Sequence, residues 1–542
     1  MSGSKIPNYT PPSEIKVRGA TAFDGDPYVR VTASGKKPWI PRDAFIGSGG
    51  EALRLLKAAG VPLLGEEWTN TKALVAKIEH YPRKALISRS GWDDGGDFAL
   101  PSGDVIATSP RKSPVVLFAR DPHKCATSGT IRYWRETTAL LKDQPIAAFV
   151  MFAAFAAPFL SLTNYATNPG FELAGPSGVG KSTVQRLAAA VCGPADSPSG
   201  MNYWMTANAT INAMEEVMSA HNDMPLIIDE ANLYASTDNF AARARKFNAL
   251  VFALAEGSEK RRYGSGQSQR SRFVFITSTN EPLAELLAGH RVAVAEAAAD
   301  RLFTIPIGAD RPYGIFDHLP LDRADIGSLA EELSHRIRQC YGVGMRQLLA
   351  RLVVERAKDP EAVAGRLREL MNFFRNEVQV DCNDGSETRA ADVHGLVYAA
   401  AMFAIDYGAV SKKLDPLEAA LTCYRLNRTA RAKPKNPAKL LLDHAQDWDI
   451  LKVRVDRLVE LSDAEIEEAS GIVRIARNGK KELLLTESQL HRLTDNRSRF
   501  LADPEIRRIM IAERGRAQTK RQVRSNRGPE RFFCFRLPED LD

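Results

Sequence analysis

Gly175-Pro176-Ser177-Gly178-Val179-Gly180-Lys181-Ser182-Thr183 fills every position of the pattern G-x-x-x-x-G-K-[ST]. Each residue type has a physical reason to stand there. Glycines let successive backbone N–H groups turn toward an oxyanion, a lysine amine brings a mobile charge to the terminal phosphates, and the hydroxyl that follows suits a divalent cation. The pattern implies ATP bound with Mg2+, with Lys181 on the β and γ groups and Ser182 on the metal. It does not say whether the triphosphate is hydrolysed, transferred or only held.

Three apolar segments downstream carry side chains that bear on that question. Pro225-Leu226-Ile227-Ile228 runs into Asp229 and Glu230, and two carboxylates ending a buried strand are costly unless they have a task there. Asp229 is expected to hold Mg2+ and Glu230 to orient and deprotonate water; an ordinary acidic surface cap is the alternative. A second run, Arg272 to Thr279, delivers Asn280 as a candidate sensor of the γ-phosphate or as a plain turn asparagine. A third, Leu302 to Pro306, is preceded by Asp300-Arg301. Arg301 there either stabilises transition-state charge or pairs locally with Asp300.

The elements that must position these groups can be read on either side. Phe171 to Ala174 reads as a buried strand entering the loop and Thr183 to Cys192 as a helix stopped by Gly193, so phosphate would face a helix N-terminus. Residues 1–15 read as a flexible tail, and the opening Met1 to Asn8 has no apolar core, so no signal peptide is expected. Residues 16–124 read as a small α+β domain, with strands at Tyr28 to Thr32 and Ala85 to Ser88 and an amphipathic helix near Ala52 to Ala59. Residues 125–320 carry the alternation of an α/β phosphate-loop NTPase core and 321–432 the helical spacing of a lid or bundle. Lys433 to Pro437 punctuates the chain as a linker. Beyond it, 433–542 reads as a winged-helix-like domain, from a strand at Glu482 to Thr486, a helix near Glu487 to Leu493 and a strand at Phe532 to Phe535. Ile146 to Leu160 is almost wholly apolar but short for a bilayer and Ala-rich, which favours a buried helix over a membrane span.

Composition sets outer bounds. With 542 residues, 44% hydrophobic and 26% charged, the chain can bury several cores. Cys125, Cys192, Cys340, Cys382, Cys423 and Cys534 form no close pair, which argues against a disulfide framework or a cysteine zinc site. A cytoplasmic protein is expected. The net charge of +7 is concentrated: Arg514 to Arg536 holds seven arginines and one lysine against Glu530 alone. Arg514, Arg516, Lys520, Arg521, Arg524 and Arg527, interleaved with amide and hydroxyl side chains, are candidate DNA contacts, or a solvated basic tail. Lys260, Arg261 and Arg262 beside Tyr263 form a second candidate, a loop able to grip a single strand, or a surface hairpin.

Further segments surround these motifs: Ser90-Gly91-Trp92 and Phe98-Ala99-Leu100-Pro101-Ser102-Gly103 ahead of the loop, Tyr203-Trp204-Met205-Thr206-Ala207-Asn208 and His221-Asn222-Asp223 after it. Together, in this order, they resemble a family of helicase-like ATPases of phages and mobile elements, long filed as a domain of unknown function and similar to minichromosome-maintenance replicative helicases of the AAA+ class. Two positions depart from the family wording. Glu259 stands where a G-x-G-K-x-R segment has its second glycine, and Asn280 where the family often has Gly between Thr and Glu. The resemblance implies an AAA+ core and a homo-oligomeric ring, expected to be a hexamer, in which Arg301 reaches the neighbouring subunit's γ-phosphate and a Lys260-Arg261-Arg262 loop lines the channel. The expected activity is ATP-driven translocation on, or unwinding of, single-stranded or forked DNA during replication of a phage or mobile element. Two alternatives remain: a nucleoside monophosphate kinase, which shares the loop wording, and a DNA-binding initiator or remodelling ATPase, in defence or transposition, that does not unwind.

Overall fold

A computed structural model describes residues 14 to 538, apart from 23–24, 88, 94, 109–114, 117–123, 198–199, 207–210, 230–239, 258–269, 281, 284–297, 299, 381–383, 432–436, 447–448, 495–496 and 514–515. The chain divides into two units. The first comprises Met1–Ser236, Ala249–Asn280 and Asp300–Asn427, the second Thr237–Asn248, Glu281–Ala299 and Arg428–Asp542.

The first unit opens with an antiparallel sheet of β1 (Lys16–Thr21), β2 (Pro27–Thr32) and β3 (Trp39–Pro41). Alternation does the work here: Val17, Val29, Val31 and Ile40 turn to one face, where α1 (Gly50–Ala58) and α2 (Glu66–Ala76) close a small core over them. Five two-residue strands follow, β4 (Leu86–Ile87), β5 (Gly91–Trp92), β6 (Phe98–Ala99), β7 (Val105–Ile106) and β8 (Val115–Val116).

Next come α3 (Ile131–Thr138), α4 (Pro145–Ala156), β9 (Gly170–Ala174), α5 (Lys181–Ala190), β10 (Met205–Thr206), α6 (Ile211–Ala220), β11 (Leu226–Asp229), α7 (Phe240–Glu256), β12 (Phe275–Thr279) and β13 (Leu302–Pro306). The five strands form one parallel sheet in the order β10-β11-β12-β9-β13. Every residue of β9, β11 and β12 is buried, the near-continuous apolar run expected where helices cover both faces. The chain leaves β9 for the far edge and returns through β11 and β12 to pair with β9 again. Such a reversal opens a crevice at the carboxyl ends of the strands beside β9.

Every residue of α4 after Pro145 is buried. Residues Pro145–Leu162 are long and apolar enough to cross a membrane by composition, yet 83% of that window lies inside the protein. The helix packs on α5 and on α11 (Gly385–Asp406). Between them in sequence lie α8 (Ile326–Gln339), α9 (Val343–Lys358) and α10 (Pro360–Glu377), and α12 (Pro416–Arg431) follows. Their starts are written locally: the side chains of Asp325, Asp359 and Asp384 accept backbone N–H groups of the first turns, and Pro360 needs no donor partner at its position.

The second unit contains α13 (Pro437–His444), β14 (Leu451–Arg454), α14 (Asp463–Glu468), β15 (Ile472–Ile475), β16 (Lys481–Leu485), α15 (Glu487–Leu493), α16 (Arg497–Ala502), α17 (Pro504–Ile509), β17 (Gln518–Arg521) and β18 (Glu530–Arg536). Its sheet runs β14-β15-β16-β18-β17, with β14 and β15 parallel and the rest antiparallel. Phe533 and Phe535 face one core, Phe532 and Cys534 the other. The strand, helix and final strand expected of a winged-helix-like module are present, but they belong to a five-stranded sheet with a core on each face. The expected linker falls largely on residues 432–436, outside the described residues.

Candidate active site

The loop after β9 is shaped by its glycines and held from β13. Gly178 and Gly180 have φ of +85° and +92°, which side chains rarely tolerate. A Cβ on Gly175 would overlap the carbonyl oxygen of Ile307, because the chain leaving β13 runs directly beside the loop. Ile307 N donates to Ala174 O at 2.7 Å and Ile315 N to Val179 O at 2.8 Å. Lys181, the first residue of α5, lies over the loop: Nζ donates to Gly175 O at 2.6 Å, Pro176 O at 2.7 Å and Asn280 Oδ1 at 3.4 Å. Ser177 Oγ also donates to Asn280 Oδ1, at 3.4 Å. Asn280 therefore stands at the lysine amine.

Asp229 ends β11 one strand away. Its Oδ1 accepts Ser278 Oγ at 2.8 Å and Ser182 Oγ at 3.3 Å, and Gln185 Nε2 donates to Ile228 O at 3.1 Å, tying β11 to α5. A hydroxyl and a carboxylate side by side at a phosphate loop are the hard oxygen donors Mg2+ takes, so these residues fit the metal that accompanies ATP. Glu230 lies outside the described residues.

Glu172, which sequence reading passed over, is fully buried in β9. Thr279 Oγ1 donates to one carboxylate oxygen at 2.9 Å and Thr304 Oγ1 to the other at 2.6 Å. Asn427 Nδ2 of α12 in turn donates to Thr304 O at 3.1 Å. The available signal was an acid inside the apolar run Phe171 to Ala174, which must be satisfied by neighbours.

Arg301 sits at the opposite edge of the sheet. Leu302 pairs with Gly170 at the start of β9, and Gly170 N donates to Arg301 O at 3.0 Å. The guanidinium lies 4.4 Å from the ring of Phe252 in α7. Asp300, the local partner weighed for it, pairs with Arg389 at 2.7 Å and accepts Ser386 Oγ.

Two segments far apart in sequence meet at this same edge. Asp223, fully buried with φ of +56°, accepts Arg272 Nε at 2.8 Å, Arg272 Nη2 at 3.0 Å and Trp92 N at 3.1 Å. Asn222 Nδ2 donates to Ser90 O at 2.8 Å, and Ser90 Oγ to Ala220 O at 2.9 Å. Ser90-Gly91-Trp92 and His221-Asn222-Asp223 thus form one knot. Gly91, with φ of +93°, leaves room for Asp223 that a Cβ would take. Burial holds the imidazole of His221 down to a pKa of about 3, so it is neutral there. Beside the first turn of α5 a cleft of about 360 Å3 is lined by Thr183 and, from α8, by Ala330, Glu331, Ser334 and Arg338.

With this geometry in view, comparison with known proteins gives a family match and a fold. A family described as "Domain of unknown function (DUF927)" matches residues 28–272. No curated protein matches the chain. Among solved structures the chain is similar to "SCCmec type IV Cch - active helicase", at 15% identity and a TM-score of 0.53 over 98% of this chain and 95% of that one. That likeness is one of fold. NtrX from Brucella abortus in complex with ATP (18% identity, 38% of this chain and 49% of that one, TM-score 0.20) and the C-terminal region of NrS-1 (10%, 76% and 91%, 0.22) are too distant in shape to carry an argument.

The candidate DNA contacts separate into groups. Lys260, Arg261, Arg262 and Arg514 lie outside the described residues. Arg516 and Lys520 are exposed. Arg521 makes a two-pronged pair with Glu482 at 2.7 and 3.1 Å, and Arg527 meets Asp463 at 2.9 Å. Arg524 corrects the sequence reading. It is 3% exposed and spends its donors on Glu530, Asp463 and Leu461 O at 2.6 to 2.9 Å, holding the Asp463 carboxyl below the usual carboxylate range. It ties the β17–β18 turn to α14 rather than facing a phosphate.

Proposed function

We propose that the chain is an ATP-hydrolysing motor of AAA+ type that translocates on or unwinds DNA during replication of a phage or mobile element, working in the cytoplasm as a homo-oligomeric ring, hexameric in its simplest form. The observation that carries the nucleotide chemistry is the convergence of Lys181, Ser182, Asp229 and Asn280 at the carboxyl ends of β9, β11 and β12. Lys181 exchanges loop carbonyls for phosphate oxygens, Asn280 orients the lysine and the attacked group, and Glu230, next after Asp229, takes the proton of the attacking water. Mg2+ held by Ser182 and Asp229 supplies charge neutralisation on the phosphates. The cleft beside Thr183 accommodates base and ribose. The helical region after β13 and the fold likeness to a mobile-element helicase support the motor reading.

The test pairs ATPase assays, with and without DNA, with displacement of strands from forked and single-tailed duplexes. Lys181→Ala should abolish nucleotide binding. Glu230→Gln should bind ATP with Mg2+ and turn over on the order of 10²- to 10⁴-fold more slowly, the range for a lost general base. Near-normal turnover in Glu230→Gln would sink that assignment, and hydrolysis stimulated by DNA without any displacement would favour a remodelling ATPase.

A further inference from the structure

The N-terminal sheet has one face packed on its helices; on the other, Ala20, Tyr28 and Leu86 form a small buried cluster with Trp39 packed against it, and beyond that cluster the face is cationic. The register puts Arg18 directly opposite Arg30, and Arg30 directly opposite Trp39; one step along, Lys16 faces Thr32. The bridge between Ala33 and Lys36 carries the pairing past β3, so Lys37 continues that second row. On the outer side of β1, Lys84 N donates to Thr21 O at 3.0 Å, and the Lys84 side chain reaches back across the sheet to lie 5.7 Å from the Trp39 ring, with the Arg30 guanidinium 5.4 Å away from the same ring. Lys16, Arg18, Lys37 and Lys84 are exposed.

Like charges directly opposite each other weaken a sheet, and among the described residues few acids stand beside them. There Glu14 pairs with Lys16 at 3.0 Å, while Arg18, Arg30, Lys37 and Lys84 have no carboxylate partner. Arg30 Nε is buried with no hydrogen-bond acceptor among those residues. Successive rows stand roughly 7 Å apart along the strands and about 4.8 Å across them, which sets the positive charges around one indole.

We propose that this face binds a nucleic-acid strand, through its phosphates on Lys16, Arg18, Lys37 and Lys84, with Trp39 as the apolar platform against a base or sugar. Cations interleaved with a half-exposed aromatic ring are what sequence-independent single-strand binding requires. The choice of nucleic acid among polyanions rests on the DNA-acting reading above. None of its residues belongs to the phosphate loop or to the C-terminal basic segment.

The experiment uses the full chain without nucleotide and a fluorescent single-stranded oligonucleotide, with affinity measured by anisotropy between roughly 50 and 200 mM salt. Arg18→Glu with Lys84→Glu should weaken binding about tenfold or more at low salt. The slope of log affinity against log salt should flatten by about 1.4, since each phosphate of a single strand that is no longer neutralised takes roughly 0.7 from it. Trp39→Leu should weaken binding while leaving the slope alone, a separation that a general loss of folding would not give. Basal ATP hydrolysis should be unchanged in all three substitutions. If the charge-reversed chain keeps full affinity and slope while Arg516→Ala with Lys520→Ala loses them, the N-terminal inference is overturned and the DNA-acting reading stands. If the unmodified chain binds heparin but no oligonucleotide, both fall.

Discussion

At the scale of single residues, the carboxylate of Asp229 shows what holds the site ready. Its Oδ1 is shared by two hydroxyls, and the shorter contact, 2.8 Å, comes from Ser278 rather than from Ser182 at 3.3 Å. Ser278 is buried in β12, so its hydrogen bond fixes the carboxylate without competition from water. Ser278→Ala should raise the Mg2+ concentration needed for half-maximal ATP hydrolysis by about tenfold, the lower end for losing a group that orients a metal ligand, with little change in maximal rate at saturating Mg2+. An unchanged Mg2+ requirement would show that Ser278 does not orient Asp229 for the metal. The phosphate loop was legible in the sequence because its residues are contiguous and its chemistry is local. Ser278 was not, because its neighbour depends on β12 lying between β11 and β9, an order no single segment encodes. Arg524 misled for the complementary reason: a basic run reports charge, but the acids that consume it, Asp463 and Glu530, reach it only through folding.

At the scale of elements, the strands and helices followed from apolar runs and caps, while the knot between Ser90-Gly91-Trp92 and His221-Asn222-Asp223 explains motifs that sequence reading could quote but not connect. It joins β5 to the start of β11 through Asp223. Asp223→Ala would leave Arg272 and Trp92 N without their acceptor, costing about 3 kcal/mol, the lower end for a broken buried pair, because the Arg272 side chain is 36% exposed. Gly91→Ala places a methyl against the same carboxylate at a φ of +93° and should cost about 1 to 3 kcal/mol. Because both changes act on one contact, the double variant should be more stable than the sum of the two losses by about 1 kcal/mol or more. Denaturant melts of the four proteins measure this, and strict additivity would separate glycine from carboxylate. Nucleotide affinity should be retained in the folded variants, since the knot lies at the sheet edge away from the phosphate loop.

At the scale of the whole molecule, the parallel sheet separates two kinds of chemistry along one axis. Lys181, Asp229 and Asn280 gather at its carboxyl edge, whereas Arg301 immediately precedes β13 at the other, its carbonyl accepting from Gly170 N. Five residues of β9 at about 3.3 Å each put roughly 15 Å of strand between those edges, before the loop itself is counted. Arg301 cannot serve its own chain's γ-phosphate across that span, so a catalytic role for it requires a second copy. Its guanidinium lies 4.4 Å from the ring of Phe252. Arg301→Ala and Lys181→Ala proteins should each be inactive alone, yet mixtures should recover part of the activity at interfaces that pair an intact loop with an intact arginine. Mixing ratios followed by ATP turnover, in preparations shown by differential labelling to contain both chains, give the answer. Recovery that peaks at intermediate ratios is the expected outcome, because only there do complementary neighbours meet. No recovery at any ratio would make Arg301 a packing residue of α7 and β13, and would count against the proposed cross-subunit role.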